Sequence, residues 1–388
     1  MKKILIEGVV YTFAFMAMVS LYSCLNDDEE TIVIETPSTG IPDDSQADPN
    51  PTVTNVTTYV PNIQTIVDYI NGIPIIRIDM TGVKNPEGID WLRLYGTGDP
   101  NQNIWVEVDG KPKGIDVYNN ADNNKDKVIK TDVVFTVDNS GSMDQEADAI
   151  ARDILAWSQL LSNSGLNAKF GVVGYGGYID GAINLTDVGT LSEYLNSGSG
   201  TNRTQHFGGL DASNLRSAAS SYTKTGYNDS DNECGAMAIL FANDNFSFRA
   251  GANRIYVNFT DEPNQPNGIQ KYSVKYFESQ DNWPSSYGTV HTVYSDSKFS
   301  SNRWNSSEQP WLISEYTGGT TIFAPSNFSG VTLESLPVTG AMENSYIIRF
   351  TNISDLLDGK SHKVHITIRS KDGSIVADKT FYVIFKES

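Results

Sequence analysis

The chain has 388 residues and a formal net charge of −19, which argues against nucleic acid and anionic membrane surfaces as partners and favours cation uptake. This length is sufficient for two domains and a tether. The sequence has no H-E-x-x-H, G-x-S-x-G or phosphate-cradling glycine motif, so the known hydrolase and nucleotide-binding constellations are missing.

Residues 1–23 are typical of an export signal. Two lysines precede a mostly apolar segment, 8–22, which is too short for a comfortable membrane span. The segment ends at Leu-Tyr-Ser-Cys and resembles a bacterial lipoprotein signal, which implies that Cys24 is acylated and anchors the protein in the outer membrane. The acidic run at 26–30 is similar to the surface-export signals of some Gram-negative lipoproteins. An ordinary secretory signal is the alternative.

The next segments predict a tether and a divided β-sandwich. Residues 24–51, rich in Asp, Ser, Thr and Pro, are predicted to form an extended acidic tether. From 52 to 128, short alternating runs between turn residues predict strands, and the same pattern returns at 341–388. Neither part has enough strands for an independent sandwich, so we expect one sandwich built from both. Two unrelated small β domains are the alternative.

Residues 131–143 join an apolar strand to the pattern D-x-S-x-S. Such a strand suits the centre of a parallel sheet, and the chain that leaves its C-terminal end enters the crevice where α/β sheets bind ligands. Asp138, Ser140 and Ser142 place three hard oxygen ligands at alternate positions on a tight turn, which indicates a Mg²⁺ or Mn²⁺ site. Taken alone the pattern is weak, because such loops also cap helices.

Two neighbouring features strengthen this prediction. Residues 145–162 have the apolar spacing of an amphipathic helix, and a second strand-like run, 254–260, ends at Asp261. Residues 129–340 therefore resemble a von Willebrand factor A-type (vWA) domain with its metal-ion-dependent adhesion site. The resemblance implies a doubly wound, mainly parallel, Rossmann-like sheet, and the flanking strands imply its insertion in an Ig-like β-sandwich, as in the integrin β-subunit.

In the vWA family, a further metal ligand lies between the D-x-S-x-S motif and the last Asp, and it is usually a Thr in the loop before a central helix. The integrin β I-like domain, which this chain resembles more closely, uses a Glu at that place. Residues 228–239 are similar to the integrin stretch that runs into a helix, which assigns this role to Glu233. The alternatives for a Thr ligand are Thr204, Thr223 and Thr225. The implied set of metal ligands is Asp138, Ser140, Ser142, Glu233 and Asp261.

The same resemblance suggests secondary cation sites. Asn228, Asp229 and Asp231 are candidates for a site beside Glu233. Glu146 is a candidate for an adjacent site, although its favoured interpretation is an interaction with the dipole of the helix that follows.

Further patterns complete the predicted α/β domain. Strands are expected at 168–174, 289–294 and 320–324, and helices at 271–280 and 310–316. The polar segments between these elements, at 175–187, 197–209 and 297–309, are expected to be loops that form the specificity surface.

The resemblance implies metal-bridged binding by a cell-surface protein. A Mg²⁺ ion (or Mn²⁺ or Ca²⁺) would accept an oxygen from an unidentified protein or glycan partner, expected to be a carboxylate. An enzymatic function is not expected, because no positioned His, Lys or Tyr base can be named. The alternative is a structural or pilus-associated surface subunit in which the metal only stabilises the fold.

Overall fold

In the described residues, the fold combines one mainly parallel sheet, flanked by helices, with two four-stranded antiparallel sheets and one two-stranded antiparallel sheet. The computed structural model describes residues 38–84, 91–119, 122, 130–144, 146–163, 167–196, 209–210, 213–223, 233–295, 306–325 and 341–386. The helices within this part are α1 (Ala147–Asn163), α2 (Val188–Asn196), α3 (Ser213–Thr223), α4 (Gly235–Asn245) and α5 (Trp311–Thr317). Its strands are β1 (Ile63–Ile70), β2 (Ile73–Met80), β3 (Val83–Lys84), β4 (Trp91–Leu92), β5 (Ile104–Val108), β6 (Lys111–Pro112), β7 (Ile115–Asn119), β8 (Lys130–Asp138), β9 (Asn167–Tyr175), β10 (Ile179–Thr186), β11 (Gly209–Leu210), β12 (Asn253–Thr260), β13 (Thr289–Tyr294), β14 (Thr321–Phe323), β15 (Tyr346–Phe350), β16 (His362–Arg369) and β17 (Val376–Val383).

The large sheet has the strand order β11-β10-β9-β8-β12-β13-β14. The central strand β8 pairs in parallel with both β9 and β12, and β10 is antiparallel to β9. Every residue of β8 after Lys130 is buried, as expected for a strand covered on both faces. One core contains Trp157 of α1 and the other contains Phe241 of α4, so helices cover the two faces of the sheet. This arrangement is doubly wound.

The four-stranded antiparallel sheets have the orders β1-β2-β15-β7 and β17-β16-β5-β6, and β3 pairs with β4 in the two-stranded sheet. In the first, β15 pairs with β2 and with β7, and in the second β16 pairs with β5. Each four-stranded sheet therefore contains strands from both sides of the α/β region in the sequence. Their inward side chains form one shared core, represented by Ile78 and Ile348 from one sheet and Val106 and Ile366 from the other.

The predicted tether is shorter than expected at its C-terminal end. Residues from Ser38 onward belong to the same compact unit as the sheets. Asp44 accepts hydrogen bonds from Lys113 Nζ (2.9 Å) and the Gly114 amide (3.1 Å), and Asn50 Nδ2 donates to Thr367 Oγ1 (3.1 Å). Polar composition was an unreliable guide here, because these side chains bind the sandwich through specific polar contacts.

Most predicted elements of the α/β region are confirmed, with shifts of one or two residues at their ends. Two predictions are wrong. The helix expected at 271–280 is instead a pair of 3-10 helices, because Ser273 has an extended backbone and caps the second one by accepting from the Lys275 amide. The loop expected at 175–187 contains β10, which forms a hairpin with β9. No helix in the described residues is both long and apolar enough to cross a membrane.

Candidate metal centre

The site forms where two neighbouring parallel strands end. Asp138 is the last residue of β8, and Asp261 directly follows β12. In the parallel register Val137 lies opposite Phe259, so the two carboxylates emerge at the same edge of the sheet. This edge is the place where α/β sheets bind ligands. The structure thus brings together Asp138 and Asp261, two of the residues that the sequence analysis named as ligands of one ion.

The D-x-S-x-S loop links these carboxylates through its serines. The Ser140 amide donates to Asp138 Oδ1 (2.9 Å), and the hydroxyls of Ser140 and Ser142 lie 2.9 Å apart. Ser142 Oγ then donates to Asp261 Oδ1 (3.0 Å). A continuous series of hydrogen bonds therefore connects Asp138, through Ser140 and Ser142, to Asp261.

Thr260 fixes the buried carboxylate of Asp138 from the neighbouring strand. Its hydroxyl donates to Asp138 Oδ2 (2.9 Å), and both side chains are buried. Sequence reasoning assigned no role to Thr260. The available signal in the sequence was the pair Thr260-Asp261, because one residue at a strand end can hold a ligand in place while the next residue binds the ion.

Glu233 reaches the same point from the start of α4. The helix start is held by Asn264, whose Oδ1 accepts from the Ala236 amide (3.1 Å) and from Cys234 Sγ (3.3 Å). A Cβ on Gly235 would lie 2.8 Å from Asn258 Nδ2 and 2.9 Å from Tyr175 Oη, so only glycine permits this close approach of α4 to the sheet. Helix packing, and not the loop sequence alone, therefore positions Glu233.

Asp138, Glu233 and Asp261 form a group whose carboxylate oxygens lie within 4.8 Å of one another. None of the ion pairs in the described part of the chain includes these residues. Glu233 Oε2 is buried and has no hydrogen-bond partner among the described residues. Carboxylate and hydroxyl oxygens are the donors that Mg²⁺, Mn²⁺ and Ca²⁺ prefer, so the donor set fits such a cation.

The clustered carboxylates resist ionisation. Burial raises the pKa of Asp138, against the opposing effect of its hydrogen bonds. Burial, followed by the charge of Asp138, raises the pKa of Glu233 to about 10 and that of Asp261 to about 6. Without a cation, the cluster is therefore more stable when it retains a proton, and a bound divalent ion would compensate the same negative charge.

Two further contacts support the loops around the site. Asn139 Nδ2 donates to Asp180 Oδ2 (3.0 Å), which ties the D-x-S-x-S loop to β10. Glu308 Oε2 accepts from Asn264 Nδ2 (2.9 Å) and from the Val274 amide (3.0 Å), which fixes the segment that holds α4. Both contacts join residues distant in sequence, and no local pattern could have indicated them.

Other predicted residues are placed less completely. Cys24, Asn228, Asp229, Asp231, Thr204 and Thr225 lie outside the described residues. Thr223 ends α3, but its side chain is not among those described. Glu146 is buried directly before α1, and its charge raises the pKa of Asp261. Within the described residues, the group that can hold an ion together is Asp138, Glu233 and Asp261, without Glu146.

Comparisons with known proteins give distant similarities. No protein-family model matches the chain, and no curated protein does. The chain is similar to the solved structure of BatB from Bacteroides thetaiotaomicron, with 15% identity, a TM-score of 0.33, and coverage of 55% of this chain and 96% of that one. It is also similar to an aerotolerance-related membrane protein from Bacteroides fragilis, with 19% identity, a TM-score of 0.30, and coverage of 51% and 93%.

A third similar structure is the pilus adhesin SpaC from Lactobacillus rhamnosus GG in its open conformation. The identity is 12%, the TM-score 0.35, and the match covers 87% of this chain but only 55% of SpaC. Similarities at this level do not assign the chain to a family, so its function has to be inferred from the residues of the site.

Proposed function

We propose that the protein binds a protein or glycan partner at the cell surface through a divalent cation, Mg²⁺ or else Mn²⁺ or Ca²⁺. The carrying observation is the group of Asp138, Glu233 and Asp261, whose carboxylate oxygens lie within 4.8 Å of one another and form no ion pair among the described residues, beside the hydroxyls of Ser140 and Ser142. A fold gains nothing from clustering buried like charges, and a bound cation reverses that cost. The cation would supply an electrophilic centre for a partner's oxygen.

The residues of the chain have distinct roles in this proposal. Ser140, Ser142 and Glu233 offer oxygens to the ion, while Asp138 and Asp261 bind it directly or through water. Thr260 keeps the Asp138 carboxylate oriented, since its hydroxyl donates to the oxygen that the Ser140 amide does not occupy. Asn228, Asp229, Asp231 and Glu146 remain candidates for secondary cation sites.

Binding is favoured over catalysis by the chemistry of the crevice beside the site. The described residues that line it carry hydroxyl, amide, carboxylate and apolar side chains, including Tyr175, Asn258, Thr260 and Glu262. Burial raises the pKa of the Tyr175 hydroxyl well above its ordinary value, so this phenol is a poor general base. We therefore propose that the protein is not an enzyme.

The proposed architecture is a vWA-type domain, 129–340, inserted in an Ig-like β-sandwich of residues 52–128 and 341–388. Its support is the pairing of β15 between β2 and β7, which requires strands from both flanks in one sheet. Cys24 is proposed as the lipid-anchored residue after removal of 1–23, which would hold the protein on the bacterial outer membrane.

The test is a pull-down of host and cell-surface ligands by the purified protein, in Mg²⁺ or Mn²⁺ and again in EDTA. We expect a partner that is captured with the cation and released by the chelator. Asp138→Ala should lose both the partner and Mg²⁺-dependent thermal stabilisation, whereas Glu193→Ala, an exposed change on α2, should retain both. Metal-dependent melting without a chelator-sensitive partner would instead support the structural or pilus-associated alternative.

A further inference from the structure

Three aromatic side chains meet at the edge of the sheet that carries the metal site. Tyr294 ends β13, Phe323 ends β14, and Trp311 begins α5. The ring centroids of Tyr294 and Trp311 lie 5.1 Å apart, and those of Trp311 and Phe323 lie 5.4 Å apart, both in edge-to-face geometry. Phe323 is 58% exposed, although it is a large apolar residue at the end of a strand. These three residues are named the aromatic platform.

The strand register places the aromatic platform in line with the metal site. Thr260 lies opposite Tyr294, which in turn lies opposite Phe323. Residues in register on parallel strands project from the same face of a sheet, and Thr260 donates from this face to Asp138. Two strand spacings separate Thr260 from Phe323, which corresponds to roughly 10 Å. A single ligand can therefore span the cation and the aromatic platform.

The charge at this edge selects the chemistry of the ligand. Among the described residues, the ionised carboxylates of Asp138, Glu233 and Asp261 together carry three negative charges, so a bound divalent cation leaves one net negative charge on this group. A carboxylate ligand would add a further like charge, whereas paired neutral hydroxyls supply hard oxygens without that penalty.

The aromatic platform fits the same ligand class. The face of an aromatic ring carries partial negative charge and attracts the weakly positive hydrogens of C–H groups. A pyranose ring presents such C–H groups on one face and hydroxyls at its rim. A sugar thus matches both features of this edge, because its hydroxyls suit the cation and its apolar face suits an exposed ring.

We propose that the partner is a neutral glycan, with vicinal hydroxyls of one sugar on the cation and a neighbouring sugar ring stacked on Phe323, the exposed ring of the aromatic platform, where Tyr294 is buried. This inference rests on the proposed metal-dependent binding and specifies its ligand. It replaces the carboxylate expected from the sequence with a pair of uncharged oxygens.

The experiment uses an array of immobilised neutral and acidic oligosaccharides together with acidic peptides, probed with the purified protein in Mg²⁺, in Ca²⁺ and in EDTA. We expect chelator-sensitive binding to neutral oligosaccharides. Phe323→Ala should weaken that binding at least tenfold and leave the metal-induced shift in melting temperature unchanged. Tyr382→Ala, at an equally exposed aromatic position on β17, is the matched control and should bind as wild type does.

The possible outcomes distinguish a failure of the glycan proposal from a failure of the proposed metal-dependent binding. If chelator-sensitive binding is found only with acidic peptides or acidic sugars, or if Phe323→Ala binds neutral sugars as tightly as wild type, the neutral glycan is wrong while the metal-dependent function stands. If the protein binds nothing on the array in any buffer, the glycan inference fails as well. If the melting temperature of the wild type does not respond to a cation, the proposed function fails together with it.

Discussion

The two ends of the central strand β8 bury acidic side chains in opposite ways. Asp132, near the N-terminal end, and Asp138, at the C-terminal end, are both completely buried. Asp132 Oδ1 accepts from Arg249 Nε (2.6 Å), and its Oδ2 accepts from the Arg249 amide (2.8 Å). Asp138 instead faces the carboxylates of Glu233 and Asp261. Within the described residues, an arginine therefore neutralises the acid at one end of the strand, whereas the acids at the other end form no ion pair.

The β-sandwich pairs buried charges in the same way as the N-terminal end of β8. Buried Asp79 pairs with Arg77 at 2.7 Å, and Lys113, also buried, pairs with Asp44 at 2.9 Å. Each of these three buried acidic or basic side chains, Asp132, Asp79 and Lys113, is therefore paired with an opposite charge from the chain. Asp138, Glu233 and Asp261 differ, because they form no ion pair within the described residues, and this difference supports the proposed cation as their counter-charge.

The largest effect is expected at the neutralised end. Arg249→Met should lower the free energy of unfolding by about 3 to 5 kcal/mol, because it leaves the Asp132 carboxylate buried without its partner. Urea denaturation measures this change. Arg152→Met is the matched control, since Arg152 is 73% exposed and lies 3.9 Å from Asp153, and it should change stability by less than about 1 kcal/mol. A loss at Arg249 no larger than the control would remove the contrast between the two ends.

At the C-terminal end of β8, removing a carboxyl group should increase the stability of the metal-free protein. Glu233→Gln should raise the stability of the metal-free protein at pH 7 by about 1 to 3 kcal/mol, because it removes a carboxyl whose pKa is raised by burial and by Asp138. The same variant should lose its thermal response to Mg²⁺. Melting curves in EDTA and in Mg²⁺ measure both effects, with Glu193→Gln as the exposed control. A Glu233→Gln variant that is destabilised in EDTA would show that the carboxylate is structural.

The sequence was informative where function depends on local spacing. Asp138, Ser140 and Ser142 lie within five residues on one turn, and Asp261 follows a strand with a clear apolar pattern. Parallel pairing brings such strand ends together, and the resemblance to the vWA domain implied that these residues share one site. Glu233 was assigned by resemblance to a family, and the buried start of α4 provides the physical reason for its position.

The sequence was uninformative where contacts join distant residues. Glu308 holds Asn264 across 44 positions, and Arg249 reaches Asp132 across 117, with no local signal at either end. The aromatic platform was likewise missed, since Tyr294 and Phe323 become neighbours only through the pairing of β13 with β14. The segment at 38–51 was misassigned because its polar residues suit solvent and specific hydrogen bonds equally well.

A smaller effect is expected from pH. The raised pKa of Asp261, about 6 against an ordinary 3.8, means that the stability contributed by its protonated form is present below pH 3.8 and is lost as the pH rises through 6. The raised pKa of Glu233, about 10, has the same effect at higher pH: its protonated form contributes stability that is lost as the pH rises. Because the cation binds the ionised carboxylates, the increase in melting temperature caused by saturating Mg²⁺ should be small at pH 5 and larger at pH 8. An increase that is equal at both values would contradict this linkage.

The proposed function depends on a divalent cation at the C-terminal end of β8. The direct measurement is an anomalous difference map from crystals of the protein grown with MnCl₂. We expect a Mn²⁺ peak at about 2.0 to 2.6 Å from the hydroxyls of Ser140 and Ser142 and from a Glu233 carboxylate oxygen. A map with no peak between Asp138, Glu233 and Asp261 at saturating Mn²⁺ would contradict the account.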